Sequence, residues 1–314
     1  MIFLINDSKK VAIIGAGMVG TSFAYSLLNQ NICNEICLID INETKVKGDA
    51  ADLSHGVPFA PGSIKIYAGS YADCKDMDIA VICAGMPQNK GESRRDLLNK
   101  NYEIYKSIVN NIVSSGFDGV FLVAGNPVDV MTEVVYKLSG FPKNKVLGSG
   151  TSLDSARLRY MLGDYFNVNP RNVHAYVMGE HGDSEFVPWS STMLSVIPLL
   201  DYKNGSSSEL KKIEDDVRLS AYEIIKAKGA TYYGIGMVLA GLTKAILNDE
   251  NSIFTVSAKL KGEYGKSGLY IGVPAIVNRN GVREICEIPL NEEEKEKFNN
   301  SCSIVQSMLD EIEQ

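Results

Sequence analysis

Between residues 11 and 140 short apolar runs alternate with longer segments whose apolar positions recur at helical spacing. The runs are "VAIIG" (11–15), "EICLID" (35–40), "DIAVICA" (78–84) and "GVFLVA" (119–124), and the segments are 18–31, 43–54, 94–115 and 128–139. A run that is apolar at successive positions is buried on both faces. Several such runs separated by amphipathic helices predict a doubly wound parallel α/β sheet covered by helices.

From about residue 151 the pattern changes. "VHAYVM" (173–178), "IFTVSAKL" (253–260) and "LYIGVPAIV" (269–277) read as strands, and "NRNG", ending in Asn280 and Gly281, predicts a tight turn into "VREICEI" (282–288). Helices are expected over 153–165, 209–228, 231–248 and 292–313. The last opens with Asn291 and Glu294 in capping-box spacing and carries Phe298, Cys302, Val305, Leu309 and Ile312 on one stripe. The chain therefore divides into a doubly wound domain over 1–150 and an α+β domain with antiparallel strands over 151–314.

Composition changes this picture little. The 314 residues are 45% hydrophobic and 22% charged, those of an ordinary globular protein. A net charge of −7 argues against a general polyanion binder, so no nucleic acid is expected as partner. The six cysteines form no Cys-x-x-Cys pair and have no histidines at ligand spacing, so they read as reduced packing residues and no metal site is expected. "MIFLIND" lacks the features of a leader, and no apolar run is long enough for a membrane span. A cytoplasmic protein is the expectation.

"GAGMVG" places Gly15, Gly17 and Gly20 between the first strand and the first helix. Gly15 permits the tight turn, Gly17 lets a pyrophosphate approach the backbone, and Gly20 allows close packing of helix on strand. Alone, such a turn can also bind nothing. Asp40, twenty residues past Gly20 at the end of the second run, tips the reading. A carboxylate there accepts hydrogen bonds from an adenosine ribose and repels a 2′-phosphate, which favours NAD over NADP.

One of only three histidines, His181, lies in "MGEHGDSEF" among glycines and acids, a setting for a proton carrier rather than a packed core residue. In "SLDSARLRYML", Asp154 and Arg157 share a helical face. The pair reads either as an intrahelical ion pair or as a carboxylate that orients His181 beside a guanidinium that clamps a substrate carboxylate.

With "GAGMVG", "LID", "VICAG", "KGESRRDLL", "AGNPVDV", "GSGTSLDSARLR", "GEHGDSEFVPWS" and "KGATYYGIG" in this order, the chain resembles the lactate/malate dehydrogenase family, in its bacterial lactate-type branch, over essentially its whole length. The resemblance implies an N-terminal Rossmann domain, a C-terminal substrate domain, NAD as cofactor and a homotetramer. It implies His181 as acid/base, Asp154 as its partner, and Arg157 as anchor of the substrate carboxylate. Asn126 and Thr231 are placed beside the substrate, and Arg94 on a mobile loop over the carbonyl oxygen. Met18, Val19, Lys45, Gly85, Ser107 and Asn126 are implied, with the glycines and Asp40, around the cofactor.

Gln88 stands where malate enzymes of the family present an arginine to a second carboxylate, which favours pyruvate and L-lactate over oxaloacetate and malate. Malate or another L-2-hydroxy acid remains the alternative reading, and an NAD-binding protein without chemistry a more distant one. The neighbouring Lys90 and Arg95 read as solvated. Arg159 and His174 match a pair that in bacterial members of the family binds fructose 1,6-bisphosphate between subunits, implying an activating effector.

Overall fold

In the computed structural model, which describes residues 9–86, 94–202 and 207–312, the alternation becomes a wound sheet. Strands β1 (Lys10–Ile14), β2 (Glu35–Ile39), β3 (Lys65–Ala68), β4 (Ile79–Ile82), β5 (Val120–Val123) and β6 (Val146–Gly148) are parallel and lie in the order β3-β2-β1-β4-β5-β6. Helices α1 (Met18–Gln30), α2 (Glu43–His55), α3 (Arg94–Ser114) and α4 (Val128–Ser139) connect them. The strand order reverses between β1 and β4, where a doubly wound sheet opens a crevice at its carboxyl ends. β4 and β5 are buried at every position, which accounts for their unbroken apolar runs.

β3 and β6 carry no comparable signal. β3 is the sheet edge and is only partly buried, and β6 is three residues long.

The second half comprises α5 (Ser152–Tyr165), β7 (Val173–His174), β8 (Met193–Leu194), β9 (Ile197–Pro198), α6 (Ser207–Lys228), α7 (Tyr233–Leu247), β10 (Ser252–Lys261), β11 (Ser267–Asn278), β12 (Gly281–Ile285) and α8 (Glu292–Ile312). β10, β11 and β12 form an antiparallel meander that continues the parallel sheet, because Ser257 of β10 pairs with Gly148 of β6. Only glycine permits that approach: a Cβ on residue 148 would lie 2.4 Å from Thr132 Oγ1 and 2.9 Å from Ser257 Cβ. The turn into β12 closes at Gly281, with φ at +86°, and Asn278 caps it by accepting from the Asn280 N–H.

"VHAYVM" does not form one strand. Val173 and His174 pair with β8, after which the chain crosses to the large sheet, where Met178 bridges Phe186 and Gly179 bridges Gly272 of β11. In the crossing, the Val177 N–H donates to Ser155 Oγ and the Val177 carbonyl accepts from Thr151 Oγ1. Side chains of α5 thus take the hydrogen bonds a neighbouring strand would have supplied. α7 starts at Tyr233, which leaves Thr231 outside the helix.

The main core draws on both halves and includes Ile13, Phe121, Val256, Tyr270 and Phe298. A smaller one under α5 and α6 gathers Leu158, Leu162, Val173, Leu199 and Val217. α8 is capped as its sequence predicts: the Glu294 N–H donates to Asn291 Oδ1 and the Asn291 N–H to Glu294 Oε2. Among the described residues no helix is long and apolar enough to cross a membrane.

One ion pair locks the two halves. Lys259 of β10 donates to both oxygens of the buried Glu133 of α4 at 2.7 Å, between the rings of Tyr136 and Tyr270. Lys137, at 3.8 Å, is a weaker second neighbour of Glu133. Removing Lys259 leaves the buried Glu133 charge with only the more distant, half-exposed Lys137 to balance it. Lys259→Met is expected to cost about 3 kcal/mol, read as a lower denaturant midpoint.

Candidate active site

The carboxyl ends of β1, β4 and β5 converge on the crevice. Gly15, at φ +98°, leaves β1 so close to β4 that a Cβ would lie 2.6 Å from the Ala84 nitrogen. The exit of β5 is equally tight, since a Cβ on Gly125 would lie 2.7 Å from the Ala84 oxygen. Asn101 of α3, buried, ties the β4 and β5 exits together. Its Oδ1 accepts from the Met86 N–H at 2.9 Å and its Nδ2 donates to the Asn126 carbonyl at 3.4 Å. Sequence reasoning missed Asn101, whose only signal is an amide on the buried side of an amphipathic helix.

At the first turn of α1 the glycine loop leaves room for an anion. Gly17 is the N-cap residue and offers no side-chain cap, and a Cβ placed on it would meet nothing within 4 Å. The free amides at this helix end, including those of Met18 and Val19, therefore face space that fits a dinucleotide pyrophosphate. Gly20 does the packing: its Cβ would fall 2.0 Å from the Gly15 carbonyl oxygen.

Asp40 braces the same loop, accepting from the Ala16 N–H at 2.8 Å and the Asn42 N–H at 2.9 Å. Each of its oxygens keeps a second lone pair for a ribose hydroxyl. Lys45 of α2 donates to the Ala16 carbonyl and to Asp49, both at 2.6 Å, so it holds the loop from outside. Gly85 and Asn126 are exposed at the β4 and β5 exits, Asn126 preceding cis-Pro127. Ser107 is exposed on α3, and Thr231 is half-buried ahead of α7. Gln88 lies outside the described residues, as do Lys90 and the side chains of Arg94 and Arg95. Arg94 is the first residue of α3.

Across the crevice, residues 27 apart in sequence meet. His181 Nδ1 lies 2.6 Å from Asp154 Oδ2, while Asp154 Oδ1 accepts from Arg157 Nη1 at 2.7 Å. Both readings of the Asp154 and Arg157 spacing therefore hold at once: the intrahelical ion pair exists, and its carboxylate also binds the imidazole. Asp154 is buried. Burial raises its carboxyl pKa, but the cations of His181 and Arg157 outweigh that and hold it below the usual range. Reciprocally, the Asp154 charge lifts His181, against burial, to about 9.

The His181 loop is fixed through its backbone by residues that the sequence did not single out. The His181 N–H donates to Asp129 Oδ2 at 2.9 Å, and the Glu180 N–H to Ser301 Oγ at 2.6 Å. Asp129 of α4 also accepts from Ser257 Oγ at 2.6 Å. One buried carboxylate thereby joins the first domain, β10 and the histidine loop. Burial pushes it up to about 6, while the bonds from Ser257 and the His181 backbone draw it down. Ser152 and Ser155 pin the start of α5 to Thr255 of β10, each at 2.8 Å, and so fix Asp154. A third acid, Glu185, brings a carboxyl oxygen within 4.8 Å of both Asp154 and His181. Arg159 lines a separate groove with Tyr176, and His174 is exposed on β7.

A dinucleotide crevice facing an imidazole held by a buried carboxylate defines an NAD-dependent dehydrogenase. The family profile described as lactate/malate dehydrogenase, NAD binding domain, matches residues 9–148, and that described as the alpha/beta C-terminal domain of the same enzymes matches residues 151–314. The chain belongs to the lactate/malate dehydrogenase family. L-lactate dehydrogenase 2 of Bacillus anthracis is 55% identical over 305 residues, 96% of this chain and 97% of that one. A lactate dehydrogenase from a Medee basin deep-sea metagenome library superposes with a TM-score of 0.96 at 47% identity, covering 98% and 99% of the two chains. The ligand-bound minor L-lactate dehydrogenase of Enterococcus mundtii gives 0.95 at 43% identity, covering 97% and 98%.

The steric role of Gly20 is directly testable. Gly20→Ala must push α1 off the loop, and is expected to weaken NADH binding by about tenfold or more, read by fluorescence titration. An unchanged affinity would show that the loop does not set the pyrophosphate position.

Proposed function

We propose that this protein is an NAD-dependent L-lactate dehydrogenase that interconverts pyruvate and L-lactate. The observation that carries the reading is the His181, Asp154 and Arg157 cluster, one carboxylate bound to an imidazole and a guanidinium. The names of the relatives and Gln88 support pyruvate over oxaloacetate. In this reading residues 1–150 bind the cofactor through Gly15, Gly17, Met18, Val19, Gly20, Asp40, Lys45, Gly85, Ser107 and Asn126. Residues 151–314 bind and protonate the substrate.

The nicotinamide cofactor would supply the hydride in its reduced form, NADH, and would accept it as NAD+ in the reverse direction. Arg157, which keeps Nη1 on Asp154, takes the substrate carboxylate with its remaining N–H groups, and Asn126 and Thr231 border the site. His181 holds its proton on Nε2, because Nδ1 is committed to Asp154, and gives that proton to the carbonyl oxygen. Asp154 stabilises the imidazolium beforehand and fixes the ring. Arg94 stabilises the charge that develops on the same oxygen.

A cytoplasmic homotetramer completes the reading. The exposed Met18, Tyr25, Tyr233 and Met237 border one groove between α1 and α7, an apolar face suited to a second copy. Arg159 and His174, on the adjacent α5 and β7, offer a guanidinium and an imidazole that suit a bisphosphate shared across a two-fold axis. Fructose 1,6-bisphosphate is the proposed activator.

The activity is tested by oxidation of NADH with pyruvate and, separately, with oxaloacetate; faster turnover of oxaloacetate would overturn the assignment. Reduction needs protonated His181, so kcat/KM for pyruvate should fall as pH rises through about 9, while oxidation of lactate rises through the same midpoint. Asp154→Asn removes the charge that lifts His181. It should move that midpoint toward about 6.5 and lower pyruvate turnover at neutral pH by about 100-fold or more.

The effector is tested at subsaturating pyruvate. Fructose 1,6-bisphosphate should raise the rate in the wild type and not in an Arg159→Ala, His174→Ala double variant. Equal response of the two proteins would place the effector elsewhere.

A further inference from the structure

Glu185 has no part in the chemistry derived above, yet it faces the catalytic pair from behind. A carboxyl oxygen of Asp154, a ring nitrogen of His181 and a carboxyl oxygen of Glu185 lie within 4.8 Å of one another, and burial together with the Asp154 charge favours the neutral form of Glu185. Two ionised carboxylates held that close in a largely buried cluster repel, and the repulsion is relieved when one of them takes a proton. One of them holds a proton, and the geometry decides which. Asp154 already accepts from two cationic donors, His181 at 2.6 Å and Arg157 at 2.7 Å, which keep it ionised.

We propose that Glu185 stands as a neutral carboxylic acid that donates its proton to Asp154, a positioning group that steadies the Asp154 and His181 pair and keeps a second negative charge from the imidazole. The inference rests on His181 being the acid/base of the proposed reaction.

The charges around Glu185 support this assignment. On the substrate side Arg157 is committed to Asp154, and on its own loop Asp183 accepts from Tyr222, while Glu180 accepts from Ser184. Asp129, from α4, adds negative charge beside His181. On the far side Glu185 borders a cavity of about 250 Å³ between α6 and α8. Its cations are engaged elsewhere: Arg218 pairs with Asp215 at 2.8 Å, Lys297 with Glu293 at 2.9 Å, and Lys211 acts on Glu293 as well. Glu214 adds negative charge there while accepting from the Val187 N–H and Trp189 Nε1. Burial and the nearby Asp154 charge hold the Glu185 carboxyl well above the usual range, and an ionised Glu185 would make His181 more basic.

Two measurements test the proposal. Infrared spectra of the wild type with isotope-labelled glutamate, near pH 7, should show the carbonyl stretch of a protonated carboxyl, shifted in deuterium oxide and absent from E185Q. The amide of E185Q is neutral and still donates to Asp154, so the alkaline midpoint of kcat/KM for pyruvate should stay within about 0.3 of the wild-type value. If Glu185 is instead ionised, E185Q removes a charge and the midpoint falls by about 1 or more. Either that fall or a missing band in the wild type overturns the proposal. The infrared result reads the proton on Glu185 even if pyruvate is not turned over, so failure of the functional reading is distinguished from failure of this one.

Discussion

The site depends on one buried carboxylate that cannot turn to water. Asp154 has a hydrogen-bond donor on each oxygen, and neither donor is dispensable, because an unpaired carboxylate at that depth would protonate. Its ionisation raises the proton affinity of His181, and its geometry commits Nδ1 so that Nε2 alone faces the crevice. The serines at the start of α5 serve this carboxylate: Ser152 and Ser155 hold the helix end on β10 and leave Asp154 no freedom to withdraw. The price is a cluster in which Arg157 is shared between Asp154 and the substrate carboxylate proposed for it.

The nine-stranded sheet gives this arrangement its rigidity. Because β10 joins β6 through the Gly148 and Ser257 contact, the parallel and antiparallel parts are one body beside the Asp154 and His181 pair. Asp129 exploits that junction, reaching from α4 to both Ser257 and the His181 N–H. The histidine is therefore positioned from the first half of the chain as much as from the second.

Much of this was legible in the sequence because it is local or periodic. Runs such as "DIAVICA" announce two-faced burial, and the glycine spacing with Asp40 announces a dinucleotide crevice. Asp154 and Arg157 stand out through helical spacing, and His181 through its polar setting. The strand expected over "VHAYVM" failed because periodicity reports apolar faces, not the partners of the backbone, and there Thr151 and Ser155 take the bonds. β6 is too short to show a period at all.

Asn101, Asp129, Glu185 and Ser301 were invisible for a shared reason. Each is a polar residue, buried or half-buried, whose importance comes from meeting a segment far away in sequence, and nothing in the local pattern distinguishes it from a solvated neighbour. Asp183 and Glu185 are two acids in one short loop, yet one accepts from Tyr222 and the other lies beside Asp154 and His181. What separates them is which way the chain turns after His181. The bonds that the Glu180 and His181 N–H groups give to Ser301 and Asp129 fix that turn, so the supports of the loop decide which acid stands beside Asp154 and His181.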